Sequence, residues 1–154
     1  MHEDPQQHFM EQALVLADQA AAIGEVPVGS VVVHNSTIVG RGHNRREVLQ
    51  DPTAHAELIA IREAAKTLGT WRLEGCTVYV TLEPCSMCAG AMVLARIERC
   101  VYGCTDPKGG FLGTLANLSN HGQLNHRFEV VQGVMAEACS QRLSDFFKDL
   151  RSKK

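Results

Sequence analysis

Two short stretches of this sequence hold side chains able to do chemistry together: His55-Ala56-Glu57 and Pro84-Cys85-Ser86-Met87-Cys88. Cysteines at i and i+3 fall on one face of a helical turn, so Cys85 and Cys88 can aim both sulfurs at a single ion. A helix N-terminus, with its unpaired N–H groups and partial positive charge, favours the thiolate form that binds metal. His55 supplies a third donor. Three protein ligands leave one tetrahedral position open, the pattern of a catalytic rather than a structural zinc site. Zinc lowers the pKa of a water in that position from ~16 to about 7 and so makes hydroxide available at neutral pH. Glu57, two residues from His55, can approach that water without competing for the metal and serve as general base, then general acid.

Each part alone is ambiguous. A histidine near a helix start is often a cap or core residue, and an isolated C-x-x-C after a strand also suits a thioredoxin-like redox pair. The redox reading leaves His55 and Glu57 without a role. The order H-x-E, then P-C-x-x-C, is a known signature of zinc nucleobase deaminases, of which tRNA adenosine deaminases are themselves standing examples.

The elements that must hold these residues follow from pattern. Asp4 before Pro5 starts a helix, which Phe9, Ala13, Leu16, Ala17, Ala20 and Ala21 continue as an apolar stripe until Gly24. Residues 28–34 read as a strand, with Asn35-Ser36 as a hairpin turn into a second strand at 37–41. Thr53 is placed to cap a helix over about 54–68 that Gly69 closes. A buried strand at 77–82 meets Glu83-Pro84, and a helix over about 85–95 follows. A short strand at 99–102 comes next. Residues 103–127, rich in Gly and Asn, read as loop with one helical turn at most. A strand at 128–132 and an amphipathic helix at 136–150, with Phe146 and Phe147 side by side, end the chain. Strands alternating with helices indicate a mixed or parallel sheet covered on both faces.

At 154 residues the chain has the size of a single domain. It needs no disulfide staples, and with an acidic, unsecretory N-terminus its six cysteines are expected to stay reduced. Cys76, Cys100, Cys104 and Cys139 lack metal-site spacing and read as buried thiols. No apolar run approaches the ~20 residues of a membrane span, so a cytoplasmic protein is expected. A net charge of -2 does not mark a nucleic-acid binder, but the charge is unevenly spread. Residues 1–26 hold five acids, Glu3 among them, and no Lys or Arg. Residues 140–154 hold five basic residues (Arg142, Lys148, Arg151, Lys153, Lys154) against two acids, and Arg41, Arg45 and Arg46 form a second basic group. These groups read either as solvated surface or as a footprint for a phosphate backbone.

Over residues 9–151 the sequence resembles the bacterial tRNA-specific adenosine deaminases of the cytidine-deaminase-like superfamily. Three dense stretches carry the likeness: residues 25–29 (EVPVG), 51–57 (DPTAHAE) and 81–92 (TLEPCSMCAGAM). Ser144-Asp145-Phe146-Phe147 adds a match outside the metal motifs and weighs most on substrate. Phe111-Leu112 depart from the pattern by being bulkier than the small residues expected in that loop.

The resemblance implies a three-layer α/β/α sandwich with a central mixed sheet of about five strands, and one Zn2+ per subunit on His55, Cys85 and Cys88. It implies hydrolytic deamination of adenosine to inosine at the wobble position of a tRNA anticodon, expected to be an arginine tRNA. Zinc-bound hydroxide would attack C6 while Glu57 protonates N1 and then the leaving ammonia. By matching position, Asn44 would hydrogen-bond the target base and Val28 would line its pocket. Asp106, Phe147 and Arg151 would contact or position flanking nucleotides of the anticodon loop. A homodimer, with the RNA site near the subunit interface, is also implied. On their own, Asn44 reads equally as a turn residue, Asp106 as a loop cap, and Val28 and Phe147 as core. Two rivals stand beside this reading: a deaminase of a free base or nucleotide (cytosine, guanine or dCMP), and an inactive zinc- or RNA-binding module.

Overall fold

In the computed structural model, residues 4–153 are described; Glu3 and Lys154 of the two terminal charge groups lie outside them. Helix α1 (Pro5–Ala22) is capped by Asp4, whose carboxylate accepts the Gln6 N–H. Strands β1 (Gly29–His34) and β2 (Thr37–His43) form the expected hairpin. Both turn residues, Asn35 and Ser36, take positive φ, the geometry whose twist matches a two-residue hairpin. A four-residue helix, α2 (Arg46–Leu49), precedes α3 (Ala56–Leu68), which Gly69 closes in the left-handed conformation. Then come β3 (Cys76–Leu82), α4 (Ser86–Ala95), β4 (Arg99–Cys104), β5 (Glu129–Val131) and α5 (Ala136–Ser152).

The five strands form one sheet in the order β2-β1-β3-β4-β5. The hairpin and the β1–β3 pair are antiparallel, whereas β3–β4 and β4–β5 are parallel, so the sheet is mixed as expected. Side chains alternate between its faces with period 2. Val31, Val33, Tyr79 and Val101 pack beneath α1 and α5. Val32, Val78, Val80, Cys100 and Tyr102 pack beneath α3 and α4. The result is the three-layer α/β/α arrangement. Buried polar groups are satisfied within it: Ser30 Oγ donates to Tyr79 O, and Thr81 Oγ1 accepts the Gly29 N–H. No helix among the described residues is long and apolar enough to cross a membrane.

Two local expectations are corrected. Thr53 does not cap α3; its N–H and hydroxyl both turn back to Asp51 Oδ1. His55 occupies the cap position, and no side chain of its own closes the helix. Residues 105–127 are loop as expected, with hydrogen-bonded turns and a bridge between Leu112 and Asn117. Of the four unassigned cysteines, Cys76, Cys100 and Cys139 are buried, but Cys104 is half-buried. Burial raises the thiol pKa of all four, and Cys139 reaches about 12, so they are poor nucleophiles.

Helix α3 lies unusually close to the edge strand. Gly40 and Gly42 of β2 face Ala56, Ala60 and Ala64, and a Cβ on Gly42 would stand 2.8 Å from Ala60 N and overlap Ala56 O. Small residues on both sides permit that approach, and it fixes the start of α3, where His55 sits. Gly42→Ala should therefore destabilise the protein by about 1–3 kcal/mol, a fall in Tm on the order of 2–12 °C. Thermal melting checks this, and an unchanged Tm would contradict the packing argument.

Candidate active site

The two predicted ligand motifs meet at the carboxyl ends of β3 and β4, where open sheets of this kind receive ligands. His55 and Cys85 are the N-cap residues of α3 and α4, and neither side chain caps its own helix. Both are thereby free to point outward at the same spot. Cys88, in the first turn of α4, joins Cys85 on one face. His55 Nδ1 lies 3.7 Å from Cys85 Sγ and 3.5 Å from Cys88 Sγ. Two Zn–S bonds of ~2.3 Å and one Zn–N bond of ~2.05 Å at tetrahedral angles would set N and S about 3.6 Å apart. The three donors thus fit one zinc ion, with Nδ1 as the histidine ligand. They form the one cluster of potential ligands found among the described residues.

The electrostatics suit a cation. Cys85 is drawn down to about 3, chiefly by a hydrogen bond from Cys88 and further by His55. Cys88, donor of that bond and buried, is pushed up; the sulfurs in effect share one proton that a metal would displace. The Cys85 thiolate raises His55 in turn. Glu57 is 4% exposed, and burial pushes its carboxyl up to about 7. A carboxyl in that range exchanges protons readily near neutral pH, and a neighbouring dication would pull it down from there.

Asn44 completes α3 from a distance. Its Oδ1 accepts the Ala56 N–H at 3.0 Å, closing the helix end that His55 leaves open. With that oxygen engaged, the Nδ2 hydrogens remain for other partners. Asn44 is therefore both a structural cap and a lining residue of the cavity above the metal cluster.

That cavity, of about 590 Å3, has Glu57, His55 and Cys85 among its lining residues. Val26, Val28, Leu143 and Phe147 supply apolar wall, and Arg46, Asp106, Pro107 and Lys108 contribute from α2 and the loop after β4. Val28 combines the two readings, as buried core that also faces the cavity, whereas Phe147 is not core: it is exposed on α5, lines the cavity and sets its ring edge-on to Phe146. Asp106 is a loop cap, its Oδ1 accepting the N–H groups of Lys108 and Gly109, and it also lines the cavity. Arg151 is not part of the lining. It is exposed, one helical turn beyond Phe147 on the same face of α5. Phe111 and Leu112 pack into the core beneath α3 and α4, so their bulk fills the interior rather than the cavity.

Several residues escaped the sequence reading. Leu143 lines the cavity one turn before Phe147, and helical spacing from Phe147 would have found it. Of the Arg41, Arg45 and Arg46 group, Arg46 alone lines the cavity. Lys108 gave no signal, because nothing local fixes where its loop runs. Glu83 and Glu25 are buried carboxylates at 2% exposure. Glu25 accepts the N–H groups of Glu47 and Val48 and so holds α2 against the cavity rim. A lone acid at the end of an apolar strand or before an apolar run was the available clue to both.

Comparison with known proteins agrees with this geometry. Residues 4–151 match the family model of MafB19-like deaminases. The tRNA-specific adenosine deaminase of Bacillus subtilis (strain 168) is 56% identical over 146 residues, 95% of this chain and 91% of the relative. A solved structure from work on A-to-I editing by tRNA:A34 deaminases superposes with a TM-score of 0.85 at 43% identity, over 88% of this chain and 99% of that one. A guanine deaminase of Bacillus subtilis reaches a TM-score of 0.63 at 38% identity, over 68% of this chain and 66% of that one. The chain belongs to the family of tRNA-specific adenosine deaminases.

Proposed function

We propose that residues 1–154 form a single zinc-dependent domain that converts adenosine to inosine at the wobble position of a tRNA anticodon, with an arginine tRNA as carrier. The observation that carries this reading is the placement of Glu57 beside a His-Cys-Cys cluster at the base of an open cleft. The relatives named for tRNA support the substrate. They match 95% and 88% of the chain, whereas the guanine deaminase matches 68% of it.

The reaction is hydrolysis: water adds at C6 of adenine and ammonia leaves. Zinc held by His55, Cys85 and Cys88 supplies the Lewis acidity that makes water a nucleophile at neutral pH. Glu57 takes one proton from the attacking water and delivers it to N1, then takes the second from the hydroxyl added at C6 and delivers it to the departing amine, so both hydrogens of the water are accounted for. Burial raises this carboxyl and the neighbouring zinc would lower it again, so the two effects oppose each other at the group that must both take and give the proton. Asn44 offers its Nδ2 hydrogens to an acceptor on the base, since its oxygen is held by Ala56. Val28 packs against the base. Phe147 and Arg151, stacked along α5, receive flanking nucleotides by ring contact and charge, and Asp106 Oδ2 is available to a ribose hydroxyl. Splayed bases read by stacking and edge contacts need no strongly basic protein, which fits a net charge of -2.

A homodimer with the RNA site near the subunit interface is part of the proposal. Val48, Leu49, Leu94 and Leu115 are each about half exposed or more in the monomer, apolar surface that a second subunit would cover. Reduced cysteines fit a cytoplasmic place of work.

Elemental analysis of protein purified without chelators should find one zinc per chain, and His55→Ala or Cys88→Ala should abolish it. Zinc-free wild-type protein would refute the metal assignment. Glu57→Ala should keep zinc and RNA binding yet lose about 10²–10⁴ in rate, on the order of 3–5 kcal/mol of barrier. Unchanged turnover in that variant would leave only a binding module. Sequencing of tRNA after incubation with the protein should reveal inosine at the wobble base. Conversion of guanine, cytosine or dCMP, but not of an anticodon stem-loop, would replace the tRNA reading with that of a free-base or nucleotide deaminase.

A further inference from the structure

We propose that Glu83 is a positioning residue, its buried carboxylate serving as the template on which residues 105–114 fold and through which the substrate-facing wall is fixed to the metal-binding turn. Glu83 stands two residues before Cys85, at the end of β3. Its Oε1 accepts the Asp106 N–H at 3.0 Å and the Thr114 hydroxyl. Its Oε2 accepts the N–H groups of Leu112 and Thr114, both at 3.1 Å. Four donors arriving at two oxygens use the full acceptor capacity of a carboxylate. No ion pair among the described residues involves Glu83, so its neutralisation comes from loop N–H dipoles. Gly110 passes so close that a Cβ there would overlap the carboxylate. Backbone bonds complete the joint: Glu83 N–H donates to Cys104 O and Phe111 N–H to Pro84 O, both at 2.9 Å.

The loop so held carries Asp106, Pro107 and Lys108 to the cavity wall. Asp106 contributes one of the four donors itself, so its backbone position is set directly by Glu83. A glutamine at 83 has one acceptor oxygen; its NH2 group fits best toward the Thr114 hydroxyl, which can accept, and there it leaves the Asp106 N–H without its acceptor. The kinetic arm of the test rests on the tRNA reading above, whereas the exchange arm does not.

Glu83→Gln should retain one zinc per chain and lose hydrogen-exchange protection most at the amide of Asp106 and less at those of Leu112 and Thr114. With an anticodon stem-loop as substrate its KM should rise on the order of tenfold while kcat stays within about threefold, the mark of displaced recognition with intact chemistry. Thr114→Val removes only the hydroxyl bond and should shift KM and exchange the same way by a smaller factor. Unchanged KM and exchange in either variant would overturn the proposal. Zinc loss with collapsed kcat at wild-type KM would also overturn it, making Glu83 a support of the metal turn. If Glu83→Gln does not fold, Thr114→Val decides alone. A wild-type protein inert on the stem-loop would instead defeat the tRNA reading, with exchange still judging the role of Glu83.

Discussion

Three soft donor atoms from two helices must meet within the reach of one ion, and the rest of the fold is arranged around that requirement. It is met by starting α3 and α4 at the same end of the sheet, on the same face, with a ligand in each cap position. The β3–α4–β4 unit forces the second helix onto that face by its parallel crossover. The first helix is brought in by Gly40 and Gly42, whose missing side chains let α3 settle against the edge strand. A ligand in a cap position cannot also cap, so each helix loses the partner that a Ser or Asp would have given. For α3 the deficit is made up by Asn44, and the repair places an amide above the metal cluster.

The same corner concentrates acidic groups out of water. Glu83, Cys85 and Cys88 follow one another closely from the end of β3 into α4, and α3 brings Glu57 to the two cysteines. Buried acids of this density are unstable unless matched. The match differs at each one. Glu83 is enclosed by N–H groups and a hydroxyl, Cys85 by Cys88 and His55, and Glu57 is left with its pKa near neutrality. What is unmatched is therefore confined to the metal cluster and Glu57, where a dication and a mobile proton supply the balance. Structure and reactivity separate by how completely each acid is paired.

What could be read from the sequence was what neighbours in the chain decide. The Asn35-Ser36 turn, the Asp4 cap, the Gly69 stop and the i, i+3 cysteine pair all depend on residues a few positions apart, and the structure holds each of them. The succession of strands and helices along the chain likewise pointed to a sheet covered on both faces. What was misread depends on distant partners. Thr53 had the right type and place for a cap, but the Ala56 N–H is taken by Asn44, twelve residues upstream. Helix α2 is too short to show a period and is pinned by Glu25, over twenty residues away. The 105–127 segment looked patternless because its first half is gathered by Glu83, a residue outside it, and the rest is held by irregular turns that follow no period. Asn44, Val28, Asp106 and Phe147 were located through family likeness. Physics alone assigned them structural roles: Val28 is core and Asp106 a loop cap as read, but Asn44 caps α3 instead of a turn, and Phe147 is exposed instead of core.

A loop folded around an atom outside itself has an unusual freedom. The side-chain bonds that hold residues 105–114 come from the carboxylates of Glu83 and Asp106 and the Thr114 hydroxyl, whereas Thr105, Pro107 and Lys108 are exposed. Side chains at those outward positions can be exchanged without removing a bond that shapes the loop. Recognition can then drift through mutation while the reaction centre stands unaltered. One architecture thus separates the residues that evolution may vary from the carboxylate that it must keep.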